Sequence, residues 1–81
     1  MKAFDLEIIY PGKKAFSAKI VSLVAPALDG KLGILARHAP LLSLLRKGKL
    51  EAKQADGKEI SFDLDSGLLR AENNRVQVFM L

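Results

Sequence analysis

His38 is the only histidine in the chain, and it stands in DGKLGILARHAPLLSLLRKGKL, residues 29–50, between a glycine-spaced apolar turn and a leucine-rich run. Basic residues flank it on both sides. An imidazole so placed has four chemistries open to it: general base, metal ligand, nucleic-acid contact, or packing and hydrogen-bonding residue in an interface. As a base it needs a nucleophile within reach and a third group to orient it, and no serine here carries nucleophile-elbow spacing. As a zinc ligand it lacks nitrogen and sulfur partners, because there is no second histidine and no cysteine. Asp63 and Asp65 form a pair of carboxylates at same-face strand spacing, which suits a solvated polar edge better than paired acid and base. No GxxxxGK[ST] run cradles a phosphate and no GxGxxG follows a strand. The chain reads as non-enzymatic, with no cofactor and no metal.

Eighty-one residues make one domain, 1–81, near the size at which a chain buries only about 60% of its unfolded surface. The absence of cysteine excludes a disulfide scaffold and suits a reducing compartment. No apolar run reaches the ~20 residues of a membrane-spanning helix. IVSLVAPAL, residues 20–28, is the longest, and Ser22 and Pro26 interrupt it. The opening MKAFDLEI carries Asp5 and Glu7 where a signal peptide would be continuously apolar, so an unexported domain is expected.

The net charge of +4 is unevenly spread. Residues 1–50 hold nine basic and three acidic side chains, and residues 51–81 hold four and six. The excess gathers around Lys13, Lys14, Arg37, Arg46, Lys47 and Lys49. Such a patch suits nucleic acid, an anionic membrane surface or an acidic protein, or simply a solvated face. A small basic β-barrel-like nucleic-acid-binding domain is therefore the alternative to hold open, and it needs aromatics on the face that carries the cations. Phe4, Phe16 and Phe62 fall on apolar-side strand positions and read as core, which leaves only Tyr10 and Phe79.

These residues must be positioned by strands, because the dominant period is two. Phe4, Leu6 and Ile8 alternate with Asp5 and Glu7; Ile60, Phe62 and Leu64 with Glu59, Ser61 and Asp63; Val76 and Val78 with Arg75 and Gln77. Turn chemistry separates the runs at Pro11-Gly12, Asp29-Gly30, Gly48, Asp56-Gly57, Ser66-Gly67 and Asn73-Asn74. Asp56-Gly57 and Asn73-Asn74 both sit between strand patterns and predict hairpins. At least seven short strands at close spacing predict an all-β fold, a sandwich or barrel. PLLSLLRKG fits either a strand or a two-turn helix by periodicity. If it is a strand, its leucines at 41, 42, 44 and 45 are apolar on both faces, and one face must be covered by a second layer or another protein. Leaving two of them bare forgoes roughly 1.5 to 3 kcal/mol each.

The same stretch resembles the segment G-x-L-G-I-x-x-x-H-A-P-L-L-[ST]-x-[LI]-x-x-G of the epsilon subunit of F-type ATP synthases, the delta subunit of mitochondria. The matching residues are Gly30, Leu32, Gly33, Ile34, His38, Ala39, Pro40, Leu41, Leu42, Ser43, Leu45 and Gly48. FDLEIIYPGKKAFSAKIVSLVAP resembles the family's opening strands, with Phe16-Ser17-Ala18 at its F-S-[AG] element, and FDLDSGLLRAENNRVQVF resembles its closing hairpins.

The resemblance implies a flattened β-sandwich of short, mostly antiparallel strands at the foot of the central stalk. It implies a rotor subunit that binds the gamma subunit and the c ring, with the alpha/beta catalytic head in the same complex, and helps couple ion translocation to ATP synthesis. It implies no catalytic residue, no cofactor and no nucleic acid, and a peripheral place on the membrane through the complex, expected at the cytoplasmic face of a bacterial inner membrane. By position, Tyr10, His38, Ala39, Pro40, Leu42 and Ser43 would face gamma, and Asp29, Gly30, Lys31 and Leu32 would meet the c ring. His38 is then an interface packing and hydrogen-bonding residue. Three departures stand out: Ala36-Arg37 replaces the family's Pro-Gly before the histidine, Lys31 stands where an acidic residue is frequent, and Ser66-Gly67 stands for a Gly-Gly pair. Many members continue into a C-terminal helical pair that brakes hydrolysis; this sequence stops at Leu81, so a coupling subunit without that helical domain is expected.

Overall fold

One strand carries the chain from one layer of the fold to the other, and the rest is arranged around it. The computed structural model describes residues 2–81, the side chains of residues 14 and 15 excepted. Eight strands follow in order: β1 (Phe4–Tyr10), β2 (Lys13–Ala27), β3 (Gly30–Leu35), β4 (Leu41–Leu45), β5 (Gly48–Gln54), β6 (Glu59–Leu64), β7 (Gly67–Glu72) and β8 (Arg75–Met80). There is no helix among the described residues.

The strands are short, 5 to 7 residues, with the one exception of β2 at 15. The reason is its double duty. Its first half pairs with β1 from Tyr10↔Lys13 to Phe4↔Ile20, and its second half pairs with β3 on one side and β5 on the other. Between Ile20 and Ser22 the register with β5 slips. Ile20 and Val21 are both buried there, and the inward positions change from even numbers (Phe16, Ala18, Ile20) to odd ones (Leu23, Ala25, Ala27). An extra residue of this kind bends a strand and re-aims its side chains, which is how a strand turns the corner between two packed sheets.

The layers are β4-β7-β8-β1 with the first half of β2, and β3 with the second half of β2, β5 and β6. A single pairing, Ala27↔Leu45, joins β4 back to β2 and closes the circuit. Every pairing is antiparallel except β1 with β8. The inner faces share one apolar core in which Leu6, Ile8, Ile20, Leu50, Leu69 and Val78 are fully buried. No polar or charged side chain among the described residues is buried with them.

Local signals behave according to their chemistry. Asp56-Gly57 makes a three-residue loop: Gly57 N donates to Gln54 O (2.9 Å), Gln54 N to Lys58 O (2.8 Å), and Lys58 N to Asp56 Oδ1 (2.9 Å). Asn73 and Asn74, with φ of 55° and 59°, make the two-residue turn between β7 and β8 that mirror-image turns favour. The segment open to helix or strand is strand β4, because Leu41 to Leu45 find a full antiparallel partner in Ala71 to Gly67. Gly48 and Gly67, expected in turns, begin β5 and β7 instead. Both are needed for close approach: a Cβ on Gly48 would lie 2.9 Å from Pro26 Cβ, and one on Gly67 only 2.7 Å from the Phe79 carbonyl oxygen.

Gly67→Ala is expected to cost about 1–3 kcal/mol, because the clash is with backbone that cannot rotate away. Gly33→Ala, whose added methyl meets no atom within 4 Å, should change stability by less than about 0.5 kcal/mol. Urea unfolding of the two variants checks the contrast, and equal losses would contradict it.

Candidate partner-binding surface

The outward positions of β4, β7, β8 and β1 form rows across the sheet because the register is continuous. One row is Leu42, Arg70, Gln77 and Glu7; the next is Leu44, Leu68, Phe79 and Ile9. The first is mostly polar and tied together. Arg70 Nη1 donates to Gln77 Oε1 (3.2 Å), Gln77 Nε2 donates to Glu7 Oε1 (3.0 Å), and Arg70 pairs with Glu72 through its other guanidinium nitrogen. The second row is apolar from end to end. Leu42 and Leu44 are 66% and 56% exposed, and Leu68, Phe79 and Ile9 are half-buried. Among the described residues no second layer covers them. Water contact along such a row is unfavourable, and a partner surface that excludes it would be stabilised in proportion to the apolar area removed.

The six residues expected to face gamma do not share one surface. Leu42 lies on this outer face. Ser43 alternates to the opposite side of β4, half-buried, with its Oγ donating to Leu44 O at 3.3 Å. His38, Ala39 and Pro40 lie in the loop from β3 to β4, at the end of the sheet where Asp5 pairs with Arg75. Tyr10, 38% exposed, ends β1 at the opposite end, beyond an irregularity at Ile8/Ile9. Leu42 and Pro40, with Arg70 and Glu72, line one open hollow, so these two are brought together.

His38 is half-buried, with Nδ1 2.7 Å from the Ala39 carbonyl oxygen, which accepts from the ring when that nitrogen carries the proton. The crevice it shares with Phe4, Ile34, Ala71 and Val76 encloses about 10 Å³, room for a water and no substrate. No group of three or more His, Cys, Asp or Glu side chains among the described residues is placed to hold a metal. The geometry at His38 is that of a loop residue packed beside the core.

The turn from β2 to β3 presents Asp29 and Lys31 to solvent, and Gly30, which closes it by pairing with Ala27, has φ of 134°. Leu32 turns inward and packs against the core. Leu28, 62% exposed, projects from the same turn and had no signal beyond being apolar in a loop.

The basic residues divide between the two ends. Arg37 is in the His38 loop, whereas Arg46 and Lys47 are in the β4–β5 turn, where Arg46 N donates to Pro26 O at 2.9 Å beside the Pro26↔Lys31 pairing. The side chain of Lys14 lies outside those described. Of the aromatics, Phe4 is in the core, and Phe16 and Phe62 pack on each other at 5.0 Å between ring centres and against the core. The basic residues therefore have no neighbouring row of exposed rings on which bases would stack.

Sequence reasoning missed Ile9, Leu44, Leu68 and Phe79 as a set. A signal existed: in FDLEIIY, GLLRAE and RVQVFM the outward positions are polar except one, and that one is apolar. Only the register shows that these exceptions line up.

Known proteins carry the same architecture. Residues 3–80 match the family described as ATP synthase, Delta/Epsilon chain, beta-sandwich domain. The ATP synthase epsilon chain of Chlorobium limicola is 40% identical over 74 residues, 91% of this chain and 84% of that one. That of Desulforamulus reducens is 41% identical over 77 residues, 95% of this chain and 58% of its own length. Among solved structures, a chain of the Euglena gracilis mitochondrial ATP synthase, in an assembly of OSCP, F1 and c-ring, superposes with a TM-score of 0.86 at 18% identity. The match covers 93% of this chain and 48% of that one. A chain from the central stalk and c-ring of the Tetrahymena thermophila enzyme gives 0.75 at 15% identity, over 95% and 62%. At such identities the structures speak for the fold, and the profile and the bacterial relatives for descent: the chain belongs to the delta/epsilon-chain β-sandwich family of ATP synthase.

Proposed function

We propose that the chain is a non-catalytic central-stalk subunit of an F-type ATP synthase. In this reading the outer face of β4-β7-β8-β1 seats on the gamma subunit, and the Leu28–Lys31 turn meets the polar loops of the c ring. The observation that carries it is the uncovered apolar row Leu44, Leu68, Phe79 and Ile9, with Leu42 beside it, on a chain of this family. A coiled-coil shaft of the kind a rotor needs offers an apolar stripe, and a flat apolar row is a complementary surface for one. His38, Ala39, Pro40 and Leu42 form the gamma contact at the loop end. Tyr10 extends it at the other, and Ser43 supports β4 from its inner side.

At the opposite surface Asp29 and Lys31 meet the ring through charge and Gly30 through its backbone, while Leu32 anchors the turn to the core from beneath. The subunit's contribution is mechanical. A close-packed sandwich with one shared core transmits torque between shaft and ring without deforming. It holds no reacting group and acts at the membrane through the complex, at the cytoplasmic face in a bacterial host.

Leu44→Glu is expected to leave the far-ultraviolet circular dichroism unchanged and to weaken binding to purified gamma by at least about tenfold, as for a central interface residue. Calorimetric titration reads this directly, and unaltered affinity in a folded variant would remove the row from the interface. Lys31→Glu should spare gamma binding and lower ATP-driven ion pumping of the reconstituted complex several-fold relative to its hydrolysis rate. Unchanged coupling would mean that the turn does not meet the ring through this charge.

A further inference from the structure

Asn74 ties its own turn to two segments far away in sequence, the N-terminal residues 3–5 and Arg37. Its backbone oxygen accepts from Asp5 N at 3.2 Å, its side-chain Oδ1 accepts from Arg37 N at 2.7 Å, and its Nδ2 donates to Ala3 O at 3.0 Å. The two side-chain bonds have opposite polarity, so a carboxamide fits where a carboxylate, which only accepts, would satisfy one partner only. Arg37 has a φ of 63°, in the left-handed region that a side chain with a Cβ occupies at a cost. It immediately precedes His38, Ala39 and Pro40. The loop therefore leaves β3 through an unfavourable backbone conformation whose amide is held by a residue of the β7–β8 turn at the same end of the molecule.

We propose that Asn74 is a positioning residue for partner binding: it clamps the Arg37 turn to the N-terminal segment and so fixes the direction in which His38, Ala39 and Pro40 are presented. This rests on the gamma-binding reading of that loop. The clamp is rigid because Asn74 is itself held in a two-residue turn, with Glu72 paired to Arg75 across it. Without the clamp, Arg37 regains its ordinary backbone choices and the loop samples other directions. The partner must then select the competent one, and apparent affinity falls by the fraction lost.

Asn74→Gly isolates the side chain, since Asn-Gly is a favoured pair for this turn and glycine accepts the positive φ. In the full chain, hydrogen exchange at the Arg37 amide should quicken by about five- to tenfold with the core amides unchanged. Affinity for purified gamma should fall by about three- to tenfold. In a His38→Ala background the same substitution should cost much less, because it acts through the loop that His38 occupies. Unchanged exchange at Arg37 would overturn the clamp. Faster exchange with unchanged affinity, or losses that simply add, would overturn the positioning role while leaving gamma binding intact. Failure of the unaltered chain to bind gamma would instead overturn the functional reading and the partner role with it, and the exchange rate would still report on the clamp.

Discussion

The structure depends on the corner in β2. Because the strand gains a residue between Ile20 and Ser22, its inward parity changes, and one continuous chain contributes Phe16, Ala18 and Ile20 to one part of the core and Leu23, Ala25 and Ala27 to the other. Without that change the second half would aim Ser22 and Val24 inward, and a one-residue slip of this kind exchanges every buried side chain for an exposed one. β3, β4 and β5 pair with the second half, and β1 with the first, so four of the eight strand pairings are made with a strand whose facing is set by this one irregularity. The only proline in the strand lies where it does least harm. β5 pairs with β2 no further than Val24, and the Pro26 carbonyl is used by Arg46 N.

From that corner follows what the molecule can present to others. Both layers spend their apolar side chains inward, yet the outer row of Leu44, Leu68, Phe79 and Ile9 remains uncovered. β1, β7 and β8 each change from polar to apolar outward positions toward the same end of the sheet, whereas β4 is apolar at both, so the apolar surface is a band beside a hydrogen-bonded polar band of Arg70, Gln77 and Glu7. A surface so divided can seat a partner in one register only, because sliding across the boundary would bury the polar ladder. The ends have separate roles: one carries the Leu28–Lys31 and Arg46-Lys47 turns, the other the His38 loop, the Asn73-Asn74 turn and the N-terminal segment.

The two ends are built by different physics. At the β2–β3 and β4–β5 turns, backbone packs against backbone or ring, and glycine is required at position 48 for want of space. At the His38 end the space is open and the chain is held by hydrogen bonds, most of them through Asn74. Close packing fixes shape through repulsion, whereas a carboxamide fixes it through direction, and the second can be undone one bond at a time.

The sequence by itself determined the strand content, the hairpins at Asp56-Gly57 and Asn73-Asn74, most of the core and the family, since these rest on period-two alternation, on turn residues with positive φ, and on one long spaced motif. It could not decide whether PLLSLLRKG is helix or strand, because five residues of periodicity do not discriminate and the answer lay in the partner strand β7. It did not reveal the layer change in β2, because an apolar run such as IVSLVAP hides a parity shift. Nor did it separate Leu42 from Ser43, assemble the apolar row or expose Asn74: side chains on four strands become neighbours only through register, and a residue 37 positions from Arg37 becomes its partner only when the sheet closes. Local chemistry is written along the chain, and the distances between strands are set by the tertiary fold alone.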